Sequence, residues 1–259
     1  MVFQARVRMV GRQVLPLLFL SLLMAGSRAA SPDDYSYPIG KIDEQIRCSQ
    51  DDSRATDGSP ADDRVCINKF RASVTRSGDV LTFKLDGGKT RVLRSNTKAC
   101  QQVPVGDCIV YRLVGFIPGS QQFVVSASLY ESEYVELVSR RVGIVTQLEG
   151  YPHLSPNGEQ FVTVAASDAW DIESPIAIYS NTDPPKLLWR FPQPCEYEQY
   201  SFDGWDGNDR VKLHTSSDPE IDTDVRRASD GWILRRPNGK VSSGTPLPPA
   251  PRPAGPRCP

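Results

Sequence analysis

An eight-residue stretch recurs 38 residues further along this chain, and that period constrains the fold more than any other feature. Pro118-Gly119-Ser120-Gln121-Gln122-Phe123-Val124-Val125 is matched by Pro156-Asn157-Gly158-Glu159-Gln160-Phe161-Val162-Thr163, and Ala127 and Ala165 keep step. In each copy a Pro-led turn opens an apolar run, and β-rich segments follow: Tyr134 to Ser139 and Gly143 to Leu148 in the first, Pro175 to Tyr179 and Leu187 to Phe191 in the second. A degenerate third copy leads from Asp206-Gly207-Asn208-Asp209 into Arg210 to Leu213, then Thr223 to Arg227 and Trp232 to Arg235. A fourth unit is the meander of Ala72 to Thr75, Val80 to Leu85 and Thr90 to Leu93, with Gly-containing turns between period-two runs. Tyr111 to Gly115 and Gln122 to Leu129 continue the pattern, and long amphipathic helical periodicity is absent. Units of about 40 residues, each a small antiparallel sheet, are what a β-propeller blade requires. The expected fold is therefore all-β, built of antiparallel meander repeats in a small or incomplete propeller-like architecture, with a β-sandwich as the alternative.

The segment Leu154-Ser155-Pro156-Asn157-Gly158-Glu159-Gln160-Phe161-Val162 resembles the Ser-Pro-Asp-Gly turn in the blades of periplasmic Tol-Pal-type β-propellers. In that family the turn leads into the innermost or second strand of a blade, so the resemblance implies such a strand after Gln160. Asn157 stands where the family usually has Asp, and the units here are fewer than the six or seven blades usual there.

The chain starts with Arg6, Arg8 and Arg12, an apolar stretch from Val14 to Met24, and the small residues Ala25, Gly26, Ser27, Ala29 and Ala30. This order is that of an export signal, with cleavage expected after Ala29 and after Ser27 as the alternative. The stretch is shorter than the roughly 20 apolar residues of a membrane span, so no anchor is expected in the mature chain. Cleavage removes four arginines and no acid, moving the formal net charge from −1 to −5. An acidic surface holds phosphate backbones poorly, so nucleic acid is not an expected partner. The arginine doublets at 140–141, 226–227 and 235–236 read as solvent-facing strand positions rather than anion sites. The expected organisation is a signal peptide over 1–29, a polar disulfide-tethered arm over 30–65, a β-repeat domain over 66–240 and a Pro-rich tail over 241–259.

All six cysteines lie behind the signal. Neither CxxC spacing nor clustered histidine accompanies them, which favours disulfides over metal in an oxidising compartment. Six cysteines permit fifteen pairings. Cys48 and Cys66 flank a hydrophilic, acid-rich stretch with little to bury, where a crosslink is worth roughly 3 kcal/mol in unfolded-state entropy. Cys100 and Cys108 close a tighter loop containing Pro104 and Gly106, which leaves Cys195 with Cys258.

No nucleophile elbow, zinc-protease motif or phosphate loop is present, and no cofactor is expected. Asp203, Asp206 and Asp209, with Asn208, supply ligand types that calcium prefers. Their spacing departs from the Asp-x-Asp-x-Asp-Gly loop, and Trp205 stands where a ligand is needed, so a solvated turn is expected and no metal. His153 is a candidate general base with no marked nucleophile beside it. The aromatics Tyr130, Tyr134, Trp170, Trp189 and Trp205, with Tyr197, fall in or beside turns, and Glu131 and Glu133 accompany the two tyrosines at 130 and 134. Loop aromatics held by a rigid sheet serve as binding anchors. The expected function is an exported binding module for a protein, peptide or envelope polymer. The alternative is an exported hydrolase with a carboxylate- or His153-based site.

Overall fold

The computed structural model describes residues 43–48, 63–102, 107–129, 132–165, 175–191, 199–215, 218–236 and 241–243. The expected signal peptide, most of the Pro-rich tail, and the residues Tyr130, Trp170, Tyr197, Cys195 and Cys258 lie outside them. Among the described residues one short α-helix, α1 (Arg64–Lys69), precedes sixteen strands. They form four antiparallel sheets taken in chain order. Sheet 1 holds β1 (Val74–Ser77), β2 (Val80–Lys84) and β3 (Thr90–Arg94). Sheet 2 holds β4 (Val110–Ile117), β5 (Gln122–Ser128), β6 (Glu133–Ser139) and β7 (Val145–Leu148). Sheet 3 holds β8 (Pro152–Leu154), β9 (Gln160–Val164), β10 (Ile176–Ser180) and β11 (Leu187–Phe191). Sheet 4 holds β12 (Tyr200–Trp205), β13 (Arg210–Thr215), β14 (Asp218–Ala228), β15 (Gly231–Arg235) and β16 (Val241–Ser243).

Every sheet is a meander whose strands pair with their sequence neighbours, and the sheets pack face to face in the same order. Leu81, Phe83 and Leu93 of sheet 1 meet Leu113, Phe123 and Val125 of sheet 2. The opposite face of sheet 2, through Val124, Val135 and Leu137, meets Leu154 and Phe161 of sheet 3. Val162, Ile176, Ile178 and Trp189 of sheet 3 then meet Val211, Leu213, Val225 and Leu234 of sheet 4. The patterning follows from this order. Strands β5 and β9 are buried at every position because both their faces are covered, so the small polar residues Ser126, Ser128 and Thr163 are buried along with the apolar ones. Strand β13, with one face on the core, alternates buried and exposed positions from Val211 to Thr215.

Gln122 and Gln160, equivalent in the 38-residue repeat, each open the second strand of their sheet. Each also reaches sideways to the next sheet: Gln122 Nε2 donates to Asp183 Oδ1 at 3.4 Å, and Gln160 Nε2 donates to the Asn208 carbonyl. Asp183 additionally accepts from Ser139 Oγ at 2.8 Å and Arg141 Nε at 2.9 Å, and its side chain is 1% exposed. The arginine doublets are thus partly structural, since Arg140 pairs with Asp86 and Arg227 with Asp209.

Residues 43–48, assigned from sequence to an arm, lie along the first strand of sheet 2. Arg47 bridges Gly115 antiparallel, Phe116 N donates to Ile46 O at 2.9 Å, and Cys48 N donates to Val114 O at 3.3 Å. Ile46 is buried between sheets 2 and 3. A disulfide joins Cys48 to Cys66 in α1, and a second joins Cys100 to Cys108, as the loop chemistry implies. Asp63, ahead of α1, is buried and accepts from Arg76 Nε and from Leu113 N, fixing the helix to both sheets. At the other end of the chain, β16 joins sheet 4 by pairing with β15. Among the described residues no helix is long and apolar enough to cross a membrane.

Candidate functional site

The first strands of sheets 3 and 4 border an open cleft of about 850 Å³, closed on its remaining side by residues 43–47. Strand β8 brings His153 and Leu154; β12 brings Ser201, Phe202, Asp203 and Trp205; the arm brings Asp43, Glu44, Gln45 and Arg47. Strand β8 reaches the cleft because Ser155-Pro156-Asn157-Gly158 turns the chain sharply behind it. Ser155 Oγ donates to Gln160 O at 2.9 Å, Gly158 N donates to Ser155 O, and Gly158 takes φ 69°, a left-handed value that glycine adopts without strain.

The side chains interlock. His153 is buried and stacks on Phe202 with ring centres 3.9 Å apart. Trp205 Nε1 donates to His153 O at 3.1 Å, and its ring meets Trp232 edge to face. Asp43 Oδ2 accepts from Leu154 N at 2.9 Å while Oδ1 accepts from Gln45 N at 2.8 Å, so this carboxylate pins the arm to β8. Burial pulls the His153 pKa down to about 4, against the opposing pull of Asp43, so the ring is neutral at pH 7. The rim then carries Asp43, Glu44 and Asp203 against Arg47, an excess of negative charge.

Of the residues singled out from sequence, Trp205 and Asp203 come together here with His153. Trp189 does not: it is 2% exposed on the face of β11 that packs against sheet 4, so it is a core residue rather than a binding anchor. Tyr134 is half-buried on β6, and that burial, with its hydrogen bond to Tyr111, raises its hydroxyl pKa. Asp203, Asp206 and Asp209 diverge to separate partners, His214 at 3.2 Å, Arg210 at 3.2 Å and Arg227 at 3.5 Å. No group of three His, Cys, Asp or Glu among the described residues is placed to hold a metal ion. The segment read from sequence as a turn from Phe202 onward is a strand as far as Trp205. Sequence reasoning passed over Asp43, Glu44 and Phe202; the signal available for Phe202 was its place in Phe-Asp-Gly-Trp, which matches Leu-Val-Gly-Phe at 113–116.

No described side chain is placed as a nucleophile hydrogen-bonded to His153; its ring meets Phe202, and the charge that acts on it is that of Asp43. The chain matches no known family, no curated protein and no solved structure, so the site stands on its geometry.

Proposed function

We propose that this chain is an exported, β-propeller-like binding module whose cleft between β8, β12 and residues 43–47 takes a positively charged ligand. The acid-rimmed cleft is the observation that carries this reading. It lies where the first strands of successive sheets meet, on the side where blades of a propeller would approach their axis. Four meander sheets stacked in chain order support the propeller-like arrangement, and the sequence resemblance at Ser155 to Gly158 points the same way. Disulfides support an oxidising compartment, and the N-terminal pattern supplies the route to it.

The hydrolytic alternative has less behind it. Both Asp43 oxygens are occupied by backbone N–H groups, and a buried imidazole stacked on a ring is held away from the proton transfers of a general base. The binding reading is tested by amide chemical-shift titration of the purified chain with oligolysine, spermidine and oligoglutamate. Shifts at Gln45, His153 and Ser201 to Trp205 with the two cations, weakening as salt rises, are the expected result. Shifts elsewhere, or with oligoglutamate alone, would overturn it.

A further inference from the structure

Strand β12 carries an edge of a kind that the molecule already uses once, on sheet 2. The first strand of sheet 2 has a bulge at Val114, where pairing with β5 skips from Leu113 to Gly115. At that bulge the edge receives residues 46–48: Val114 O accepts from Cys48 N, Phe116 N donates to Ile46 O, and Gly115 faces Arg47. The first strand of sheet 4 repeats this design. Pairing with β13 skips from Phe202 to Gly204, leaving Asp203 as the bulged residue, and the sequence Phe-Asp-Gly-Trp aligns with Leu-Val-Gly-Phe. Equivalence makes Asp203 O the outward acceptor and Trp205 N the outward donor. Strand β12 pairs with β13 alone, and no described strand lies on its other side.

We infer that β12 is a strand-addition site for an extended, basic peptide segment, which pairs antiparallel with Ser201 to Trp205 as residues 46–48 pair with β4. This rests on the cleft being the binding site, and it names the ligand class and the mode. Main-chain pairing to a sheet edge gives affinity, while side chains on alternate positions give specificity. The specificity is written in charge. Where β4 has Val114, β12 has Asp203, an exposed carboxylate on the bulge, and Glu44 is exposed on the opposite bank of the cleft. A lysine or arginine of the incoming strand meets those acids, whereas an acidic peptide is repelled. Phe202 and Trp205, packed from behind against the core between sheets 3 and 4, hold the edge rigid and leave less ordering to be done on binding.

The test uses the purified chain and three hexapeptides: alternating lysine and valine, the same sequence N-methylated on alternate amides, and alternating glutamate and valine. Calorimetric titration is expected to show binding of the first, at least about tenfold weaker binding of the second, which has lost main-chain donors, and none of the third. Asp203→Asn is expected to weaken the first by about threefold and to leave the folded spectrum unchanged. Equal binding of the first two overturns strand addition and leaves a cation-binding cleft. Absence of binding by all three overturns both readings. Hydrogen exchange gives a second check: the Trp205 amide exchanges fast in the free chain and slows with the lysine peptide. A Trp205 amide already protected in the free chain means a segment of the chain itself occupies the edge, and the inference falls.

Discussion

Two buried titratable side chains give this protein opposing responses to pH. His153 has a pKa near 4 in the folded chain because burial disfavours the imidazolium, against about 6.5 for an unfolded histidine. Between those values the unfolded chain binds the extra proton, so stability is full above about pH 6.5 and falls as the pH drops, by roughly 3 kcal/mol on reaching pH 4. His153→Phe keeps a ring against Phe202 and removes the proton site. Its urea midpoint should therefore change less between pH 7 and pH 4.5 than that of the parent. Glu136 responds the other way. It is buried on the face of β6 with Arg91 as the opposing charge, its Oε2 has no hydrogen-bond partner among the described residues, and burial raises its pKa. A carboxyl raised on folding contributes below the ordinary glutamate range, and that contribution is lost as the pH rises through the folded value. At neutral pH the buried charge is a cost. Glu136→Gln is expected to raise stability at pH 7 by about 1 kcal/mol and to leave it unchanged near pH 4, read from denaturation midpoints.

Strands and turns behave as units because one loop residue can bind two sheets. Asp183 belongs to the turn between β10 and β11, yet three of its acceptor contacts come from sheet 2, through Gln122, Ser139 and Arg141. Asp183→Ala strands a buried glutamine amide and a hydroxyl together, and is expected to cost about 3 kcal/mol, with an unchanged denaturant slope if the stack unfolds as one unit. Gln122 and Gln160 show how far such contacts were legible. Their repeat spacing is visible in sequence, and so are the apolar runs they open. Their partners are not, because Asp183 and Asn208 lie in turns of the following sheet at different points of its meander. Most strands announced themselves through glycine turns and alternation. Strands β8 and β12 did not, and they carry the cleft. Strand β8 has three residues beginning with Pro152; β12 contains Asp203 and Gly204, which lower β propensity and suggest a turn. A bulge accommodates the latter pair within pairing to β13, and propensity cannot report a bulge. The cleft was hidden because a three-residue strand and a bulged edge strand look locally like loops.

At the level of the whole molecule the cleft depends on a segment that belongs to no sheet and is far from the cleft in sequence. Residues 43–48 contribute one bank, and three features hold them: main-chain pairing to β4, the buried Ile46, and the Cys48–Cys66 disulfide to α1. The helix is itself fixed by Asp63 to Arg76 and Leu113, so the covalent link connects the arm to a rigid anchor. Cutting that link acts on two levels. The global cost for a bridge spanning 18 positions is about 3 kcal/mol from restored unfolded-state entropy. The local cost falls on the arm, whose few bonds must then hold it without a tether, so opening of the segment precedes unfolding of the sheets. A double variant, Cys48→Ser with Cys66→Ser, separates the levels. Hydrogen exchange at Arg47 and Cys48→Ser should accelerate by more than exchange at Val124 or Val162 in the sheet interiors, and affinity for the lysine–valine hexapeptide should fall several-fold while the circular-dichroism spectrum at 25 °C stays that of the parent. A uniform acceleration at all amides would mean that the arm and the sheets open together, and that the disulfide serves global stability alone. An unchanged affinity alongside a loosened arm would place the ligand wholly on β12, with Glu44 and Asp43 contributing nothing to its recognition.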